Sequence, residues 1–312
     1  MKIRVSDATS VALGLSRGRV DAPLRTAYFM TFSTMAGGKC LADCDFCTLA
    51  SSSSSSPDYL SRVRWMPFDM VDVVSALRSR LRVFRRACLQ VVNYPGYFTD
   101  SVSFLSLLAH QIPISVSVMP IGRENYAKLK EMGVDKVTIP MDAATPELFS
   151  KHKGRGGLYM WERHVAALKE ATAIFGRGNV CTYLIVGLGE TDEEAVGFLF
   201  GFKEMGATVF LHSFTLVPGL DIVGARAPDL ARYRGIQLAR YLIFERGASP
   251  RDFLFKEGRL NDIPGIPDLE IITGGDQAYR TSGCPDCNRP FYNERVVGPL
   301  YNLPALREGD FR

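Results

Sequence analysis

The chain has 312 residues, of which 46% are hydrophobic and 22% charged, and its formal net charge is +4 at pH 7. This is the composition of a globular protein with a large core, and the charge is too small to favour a nucleic-acid partner. The first residues lack the apolar core of a signal peptide, and no apolar run reaches the ~18 residues of a membrane span. We therefore expect a cytoplasmic protein that binds neither nucleic acid nor a membrane.

Segments with the patterns of strands and helices alternate along most of the chain. The predicted strands are residues 28–33, 87–92, 114–119, 136–141, 179–186 and 208–217. The predicted helices are one that begins at Pro67 and runs to about residue 84, and five others at 102–110, 123–132, 161–174, 193–204 and 229–244. The six serines at 51–56 cannot contribute to a core, so we expect a mobile loop there.

This alternation predicts an α/β fold in which parallel strands are covered by helices. Right-handed crossovers curl such a sheet into a partial barrel of six strand–helix units, which we place at residues 25–248. Residues 1–24 are an N-terminal segment, and the Gly- and Pro-rich residues 249–312 are a C-terminal extension packed on the barrel. In barrels of this kind the chemistry lies at the carboxyl ends of the strands.

The seven cysteines divide into a group of three, Cys40, Cys44 and Cys47, and four that are dispersed along the chain. The group of three has the spacing C-x3-C-x2-C and follows the first predicted strand. Three thiolates leave one iron of a [4Fe–4S] cluster without a protein ligand, and an open metal position is typical of a chemical site. The alternative is a structural zinc ion, which prefers four ligands, usually in C-x2-C pairs.

This cysteine loop resembles that of the radical S-adenosylmethionine (SAM) superfamily, in which an aromatic residue precedes the last cysteine, as Phe46 does here. The resemblance implies a partial (β/α)6 barrel of the TIM type and a [4Fe–4S] cluster whose open iron binds SAM. One electron then cleaves SAM to methionine and a 5′-deoxyadenosyl radical, which abstracts hydrogen from an unactivated carbon. A zinc-dependent binding module is the alternative from another class of protein, but it lacks support because no aromatic residues cluster beside basic ones.

Within the superfamily, residues 25–245 resemble biotin synthase and its relatives. The resemblance is most specific at residues 180–191, which read VCTYLIVGLGET. It implies that Ile185 packs against the adenine of SAM and that the backbone near Val217 pairs with the adenine edge.

Two further SAM contacts are suggested by the same resemblance. Asp142, at the end of the fourth predicted strand, matches the carboxylate that holds the ribose hydroxyls, although it can instead cap the turn that follows it. Pro140 stands where the family has an asparagine for the ribose, so that contact must differ here. Asn93 is a candidate to hold the amino group of SAM.

Cys88 and Cys181 lie on the second and fifth predicted strands, which supply cysteines to a second cluster in biotin synthase. The ligand from the third strand is absent near Val118, and the C-x2-C turn of Cys284 and Cys287 is the expected replacement. These four cysteines are predicted to hold a second, auxiliary [4Fe–4S] cluster, with the turn folded back over the barrel mouth so that both cysteine groups share one mouth. The alternatives are buried, hydrophobe-like cysteines on the strands and a zinc knuckle or plain turn at the C-terminus.

Residues 283–294, which read GCPDCNRPFYNE, resemble the tail of the archaeal-type, two-protein lipoyl synthases. This resemblance implies sulfur insertion into an octanoyl chain on a carrier-protein lysine, with the auxiliary cluster as the sulfur donor. It also implies a second radical SAM partner protein and an electron donor such as ferredoxin or flavodoxin. Biotin synthase and another radical SAM reaction remain the alternatives.

Some basic residues have two interpretations. Four arginines near the second predicted strand form either a solvated face or a dock for an acidic lipoyl carrier domain; they are Arg78, Arg82, Arg85 and Arg86. His212, on the sixth predicted strand, either packs in the core or faces the site. Arg289 either anchors a carboxylate or the cluster sulfide, or holds its own turn.

Overall fold

A nine-stranded sheet forms the centre of the protein in the computed structural model, which describes residues 1–20, 22–220, 222–289 and 299–304. Its strands are β1 (Lys2–Ser6), β2 (Thr26–Thr31), β3 (Tyr59–Leu60), β4 (Val63–Asp69), β5 (Arg86–Gln90), β6 (Ile114–Ser117), β7 (Val134–Thr138), β8 (Val180–Val186) and β9 (Ala207–Ser213). Their order across the sheet is β3-β4-β1-β2-β5-β6-β7-β8-β9. A separate hairpin of β10 (Leu254–Lys256) and β11 (Arg259–Asp262) lies in the C-terminal extension.

From β2 to β9 the sheet is parallel, and its strands follow one another in chain order. This confirms the predicted α/β fold with six strand–helix units curled into a partial barrel. The edge beyond β2 is antiparallel and consists of β1, β4 and β3. Because the six parallel strands all run in the same direction, the barrel has one amino end and one carboxyl end.

Nine helices accompany the strands within the described residues. They are α1 (Asp7–Ala12), α2 (Met70–Arg78), α3 (Tyr97–Leu108), α4 (Arg123–Glu131), α5 (Pro146–His152), α6 (Trp161–Phe175), α7 (Asp192–Glu204), α8 (Leu230–Glu245) and α9 (Leu269–Gly274). Among these residues, no helix combines the length and apolar character needed to cross a membrane.

The main core lies between the outer face of the sheet and the helices. Alternation along β5 explains the arrangement, because Ala87 and Leu89 join this core while Cys88 points to the opposite, inner face. Phe104 of α3 is fully buried and packs edge-to-face on Phe29 of β2, with the ring centroids 5.1 Å apart. The outer apolar layer therefore leaves the inner face of the strands available for a site.

The prediction that a helix begins at Pro67 is wrong. Pro67 lies in β4 opposite Arg4, and the helix α2 begins only at Met70. Pro67 is tolerated because β3 pairs with β4 only as far as Arg64, so no ladder bond is lost on that side. The sequence analysis also missed β1, whose Ile3 joins the main core.

We predict that Phe104→Ala lowers the free energy of unfolding by about 3–5 kcal/mol, because it leaves a cavity against Phe29. Urea unfolding followed by circular dichroism measures the change. Val71→Ala on α2 is the matched control, since Val71 is 73% exposed and should change the free energy of unfolding by less than about 0.5 kcal/mol. Equal destabilisation by the two variants would contradict the assigned core.

Candidate active site

A cavity of about 280 Å³ lies on the inner face of the sheet. Residues from both ends of the barrel line it, and so do four of the seven cysteines. Its polar lining includes Cys47, Cys88, Asp142, His212, Cys284, Cys287 and Arg289, and its apolar lining includes Phe46, Val63, Trp65, Ile185, Phe210 and Phe214. One space therefore connects the two cysteine groups that the sequence analysis separated.

The loop with Cys40, Cys44 and Cys47 lies at the carboxyl end of the barrel, between β2 and β3. Its backbone is tightly folded, because the amide of Cys47 donates to the carbonyl of Cys44 at 2.9 Å, and the amide of Cys40 to that of Leu49 at 2.8 Å. The amide of Leu41 donates to the carbonyl of Asn93, which ties the loop to the end of β5. These backbone hydrogen bonds hold the segment that carries the three thiols in one compact loop.

A second set of contacts ties the same loop to the end of α5. The Asp45 carboxylate lies 3.0 Å from Nδ1 of His152, and the amide of Asp45 donates to the carbonyl of His152. Arg155 forms ion pairs with Asp43 at 3.3 Å and with Asp45 at 3.8 Å. The residues between the cysteines therefore position the loop, a role that the sequence analysis did not predict.

Burial strongly disfavours ionisation of these thiols in the protein alone. It raises the pKa of the Cys47 thiol to about 12 and that of Cys44 well above its ordinary value, and the neighbouring thiols add to both shifts. The Lys153 ammonium opposes the rise of both pKa values. Buried thiolates need a cation partner, and this donor set of three thiols fits the iron of a cluster with one open position.

Asp142 and Lys153 form a buried ion pair beside this loop. Lys153 Nζ lies 2.5 Å from Asp142 Oδ2, and both residues are at most 7% exposed. Asp142 has a left-handed backbone (φ 69°), and it bridges to Leu184 just beyond the end of β7. The predicted ribose carboxylate does line the cavity, but it has a lysine partner that the sequence analysis missed.

The other predicted SAM residues are only partly brought together. Phe46 and Ile185 both line the cavity at its carboxyl end. Asn93 is not part of that lining, and its Nδ2 donates to the hydroxyl of Tyr159 at 3.3 Å. Val217 is buried behind the lining, where its carbonyl accepts from Leu220. Their roles toward SAM remain predictions.

The GLGE turn after β8 is held by its own glutamate. The Glu190 carboxylate accepts from the amides of Gly187 and Leu188, at 2.8 and 2.9 Å, and Arg232 of α8 pairs with it. A Cβ on Gly187 would lie 2.3 Å from the carbonyl oxygen of Arg226, so a side chain cannot fit there. This turn fixes the loop that follows Ile185.

The turn with Cys284 and Cys287 lies at the amino end of the barrel, opposite the loop with Cys40, Cys44 and Cys47. The prediction that both cysteine groups share one mouth is therefore wrong. The C-x2-C turn contacts the first residues of two strands: the carbonyl of Pro285 accepts from Arg86 of β5, and the carbonyl of Asp286 accepts from Thr26 of β2. Asn288 also accepts from the amide of Thr26 at 2.9 Å. The reason is that the extension crosses from β9 to β2: Ser282 accepts from the amide of Leu211, and the turn that follows it reaches the first residue of β2.

The four cysteines of this group nevertheless converge. The pKa of Cys284 is lowered to about 7, mainly because the Cys181 thiol donates a hydrogen bond to its sulfur. A hydrogen bond from Ser115 and the charge of Arg86 lower this pKa further. Burial, together with the neighbouring Cys284 and Cys287, raises the pKa of Cys88. All seven cysteines of the chain are free thiols.

Ser115, and not Val118, is the residue of the third parallel strand that faces this group. It pairs in register with Cys88 and lines the cavity, whereas Val118 is in the main core. The hydrogen bond between Ser115 and Cys284 shows that the C-x2-C turn brings a thiol to the place where the third strand has none.

Arg86 is a buried cation beside the second cysteine group. It forms a bidentate pair with Asp135, at 2.6 and 2.7 Å, and also donates to Ser115 and to the carbonyl of Pro285. Only 4% of Arg86 is exposed, so it cannot contribute to a surface of four arginines that binds a carrier domain. Arg85 pairs with Asp286 at 3.6 Å, so it too contributes to holding the turn.

Arg289 and His212 form a second polar contact in the cavity. Arg289 donates to His212 Nε2 at 3.0 Å and to the carbonyl of Leu211 at 2.9 Å. Burial and the Arg289 charge hold the pKa of His212 well below its ordinary value, so the ring is neutral and accepts. His212 thus faces the site, and Arg289 fastens the extension to β9.

A single metal ion does not match the spacing of these side chains. Within the described ranges, no three His, Cys, Asp or Glu side chains lie close enough to hold one ion. The cysteines of a [4Fe–4S] cluster each bind a different iron and so stand farther apart than the ligands of one ion.

Comparison with protein families identifies the family of the fold, and the matching region includes the first cysteine group. Residues 36–200, more than half of the chain, match the family described as the Radical SAM superfamily. The chain belongs to the radical SAM superfamily. It is also 28% identical over 256 residues to the biotin synthase of Hydrogenobaculum sp. (strain Y04AAS1), a match that covers 76% of this chain and 71% of that protein.

Solved structures of other radical SAM proteins share the fold. The FeFe-hydrogenase maturase HydG from Carboxydothermus hydrogenoformans aligns with a TM-score of 0.54 at 16% identity, over 76% of this chain and 54% of that one. Methylornithine synthase (PylB) aligns with a TM-score of 0.54 at 17% identity, over 76% and 66%. The chain thus spans little more than half the length of HydG, and these likenesses establish the fold alone.

Membership of the radical SAM superfamily gives the first cysteine group its cofactors. Cys40, Cys44 and Cys47 are the residues that would hold the [4Fe–4S] cluster, which when bound there would supply the electron for SAM cleavage. The chain contributes three thiol ligands, the contacts from His152 and Arg155 that position the loop, and Phe46, which lies next to the last ligand on the cavity wall. The carboxyl end of the cavity is therefore the radical-generating end.

We predict that Cys40→Ala, Cys44→Ala and Cys47→Ala each abolish 5′-deoxyadenosine formation under a strong reductant, because each removes one of three thiolate ligands. Anaerobic reconstitution followed by liquid chromatography measures the product. Leu41→Ala is the control, since Leu41 lies in the same loop with 47% of its surface exposed. Full activity of the triple cysteine variant would exclude the assigned site.

We predict that Lys153→Met lowers the free energy of unfolding by about 3–5 kcal/mol, because it leaves the Asp142 carboxylate buried and unpaired. The double variant Lys153→Met/Asp142→Asn should recover most of that loss, since the charge is removed with its partner. Chemical unfolding of the two single variants and the double variant measures the coupling. Additive losses would show that the pair is not coupled.

Proposed function

We propose that this radical SAM enzyme inserts sulfur into an octanoyl chain carried on a lysine of a carrier protein, as one subunit of a two-protein lipoyl synthase. The observation that carries the proposal is the shared cavity, whose carboxyl end holds Cys47 and Asp142 and whose amino end holds Cys88, Cys284 and Cys287. A substrate between the two ends would lie next to SAM on one side and a second metal centre on the other.

The chemistry of the amino end supports an auxiliary [4Fe–4S] cluster. Two thiols come from the strands β5 and β8 and two from the C-x2-C turn, and Gln90 and Tyr28 contact the sulfurs of Cys88 and Cys287, at 3.2 and 3.4 Å. When bound there, the cluster would supply sulfide sulfur. The substrate hydrogen would leave as part of 5′-deoxyadenosine, and the carbon would bond to the sulfur while cluster iron takes up the electron.

The cavity wall suits an acyl chain. Its lining includes large aromatic side chains, among them Trp65, Phe210 and Phe214, which an acyl chain can contact. A volume of about 280 Å³ is close to the lower limit of ~300 Å³ for small-molecule sites. These walls exclude water from a carbon radical, which preserves it for bonding to sulfur.

The substrate and partners follow from the resemblance of residues 283–294 to two-protein lipoyl synthases. Within that run, residues 290–294 lie outside the described residues. The proposal includes an octanoylated carrier protein, a second radical SAM protein as partner, and ferredoxin or flavodoxin as electron donor. Biotin synthase activity is the second candidate, favoured by the 28% identity to the Hydrogenobaculum enzyme. Ser115 at the third-strand position argues for a different ligand set from that of biotin synthase.

We predict that Cys284→Ala/Cys287→Ala binds roughly half the iron of the wild type, because one of two clusters is lost. The variant should keep SAM cleavage and lose sulfur insertion, since the first cluster is intact and no sulfide donor remains. Iron and sulfide analysis measures the first effect. Mass spectrometry of an octanoyl-lysine peptide after anaerobic turnover measures the second.

Pro285→Ala is the matched control, because it alters the same turn without removing a thiol and should keep the wild-type iron. If the double cysteine variant binds as much iron as the wild type, Cys284 and Cys287 do not hold an auxiliary cluster. If the enzyme forms a thiolated product from dethiobiotin and none from the octanoyl peptide, its activity is that of biotin synthase and the proposed substrate is wrong.

A further inference from the structure

The run of six serines at residues 51–56, which its composition predicts to be a mobile loop, has defined hydrogen-bond partners in the structure. Its middle is hydrogen-bonded to the loop after β9. The hydroxyls of Ser53 and Ser54 donate to the carbonyl of Gly219, at 3.3 and 3.4 Å, and that of Ser55 donates to the carbonyl of Pro218 at 2.6 Å. Three consecutive serines therefore bind two consecutive carbonyls.

The start of the run belongs to the cluster loop. The hydroxyls of Ser51 and Ser52 donate to Asp43 Oδ1, at 3.3 and 2.5 Å, and the Ser51 amide donates to the carbonyl of Ala42. The Ser52 hydroxyl is the main cause of the lowered pKa of Asp43. The Lys39 ammonium donates to the carbonyl of Ser53. The serines thus extend the loop that carries the three cysteines.

The loop after β9 is shaped to receive them. Gly219 has a left-handed backbone (φ +86°), and a Cβ there would lie 2.5 Å from Oγ and 2.6 Å from the amide nitrogen of Ser55. A side chain at this position would push the two loops apart. The close approach therefore depends on glycine on one side and on small hydroxyl side chains on the other.

The contact spans the radical-generating end of the cavity. It joins the carboxyl-terminal loops of β2 and β9, which are not neighbours in the sheet. Cys47, four residues before Ser51, and Thr215, three residues before Pro218, both line the cavity. The serine contact therefore crosses the space between the cluster loop and the last parallel strand.

We propose that residues 51–55 and 218–219 form a clasp that closes the SAM end of the cavity and slows the release of SAM. The three hydrogen bonds between the described residues of the two loops are hydroxyl-to-carbonyl bonds near the surface, and such bonds are individually weak. The clasp can open for SAM to exchange without breaking the sheet or the cluster loop. The proposal rests on SAM binding, which the superfamily implies, and not on the octanoyl substrate.

The test is Ser53→Ala/Ser54→Ala/Ser55→Ala, measured on the reconstituted enzyme by equilibrium dialysis with labelled SAM. Loss of three weak hydrogen bonds should raise the Kd of SAM about tenfold. The rate of 5′-deoxyadenosine formation at saturating SAM should stay within about twofold of the wild type, since the cluster ligands are untouched. Ser56→Ala is the control, because the Ser56 hydroxyl accepts from the Asp58 amide and does not contact the β9 loop.

Gly219→Ala is the second variant, because it separates the loops without changing any residue of the cluster loop. It should also raise the Kd of SAM about tenfold while iron content stays at the wild-type value. An unchanged Kd in both variants, with iron retained, overturns the clasp. If the triple serine variant loses its iron, Gly219→Ala decides alone, and an unchanged Kd in that variant overturns the proposal.

Discussion

The gap in the parallel sheet is the constraint on which the site depends. Six parallel strands curl into a partial barrel, but β2 and β9 do not pair, so the last strand has an open edge facing the cavity. The C-terminal extension bridges the gap: Ser282 accepts from the amide of Leu211 and Arg289 donates to its carbonyl, while Asn288 accepts from the amide of Thr26 at the start of β2. At the carboxyl end the serine run makes the bridge. The cysteine loop of Cys40, Cys44 and Cys47 and the turn of Cys284 and Cys287 both belong to segments that close this gap.

Charge is arranged in the same way at the two ends. Each cysteine group has a buried cation beside it, Lys153 at the carboxyl end and Arg86 at the amino end, and a carboxylate pairs with each of the two, Asp142 with Lys153 and Asp135 with Arg86. These cations oppose the rise in pKa that burial imposes on the neighbouring thiols. At the carboxyl end the Asp142 carboxylate raises the pKa of Cys44 and Cys47, so the two members of that ion pair act on these thiols in opposite directions.

Local patterns in the sequence predicted the six parallel strands, the radical SAM cysteine loop, and Phe46 and Ile185 on the cavity wall. Those features depend on residues that are close in the chain. The amino-end position of Cys284 and Cys287 could not be predicted, because it depends on contacts with Thr26 and Arg86 that span about 200 residues or more.

Other features were missed for similar reasons. Pro67 reads as a helix start, yet pairing with the unpredicted strand β1 places it in a strand. Nothing local marks Lys153 as the partner of Asp142, since the pair forms only when the segment after α5 folds against the end of β7. The serine run has the composition of a flexible loop. Its contacts with Pro218 and Gly219 across the gap are distant in the chain, so the sequence does not reveal them.

The central claim is that three cysteines hold one cluster at the SAM end and four hold another at the opposite end. Mössbauer spectroscopy of protein reconstituted with enriched iron tests it directly, with each cysteine group removed in turn. The account predicts that each variant keeps one [4Fe–4S] cluster, and that adding SAM changes the spectrum only when Cys40, Cys44 and Cys47 are present. A variant without these three that binds no iron, or whose spectrum still responds to SAM, would contradict the account.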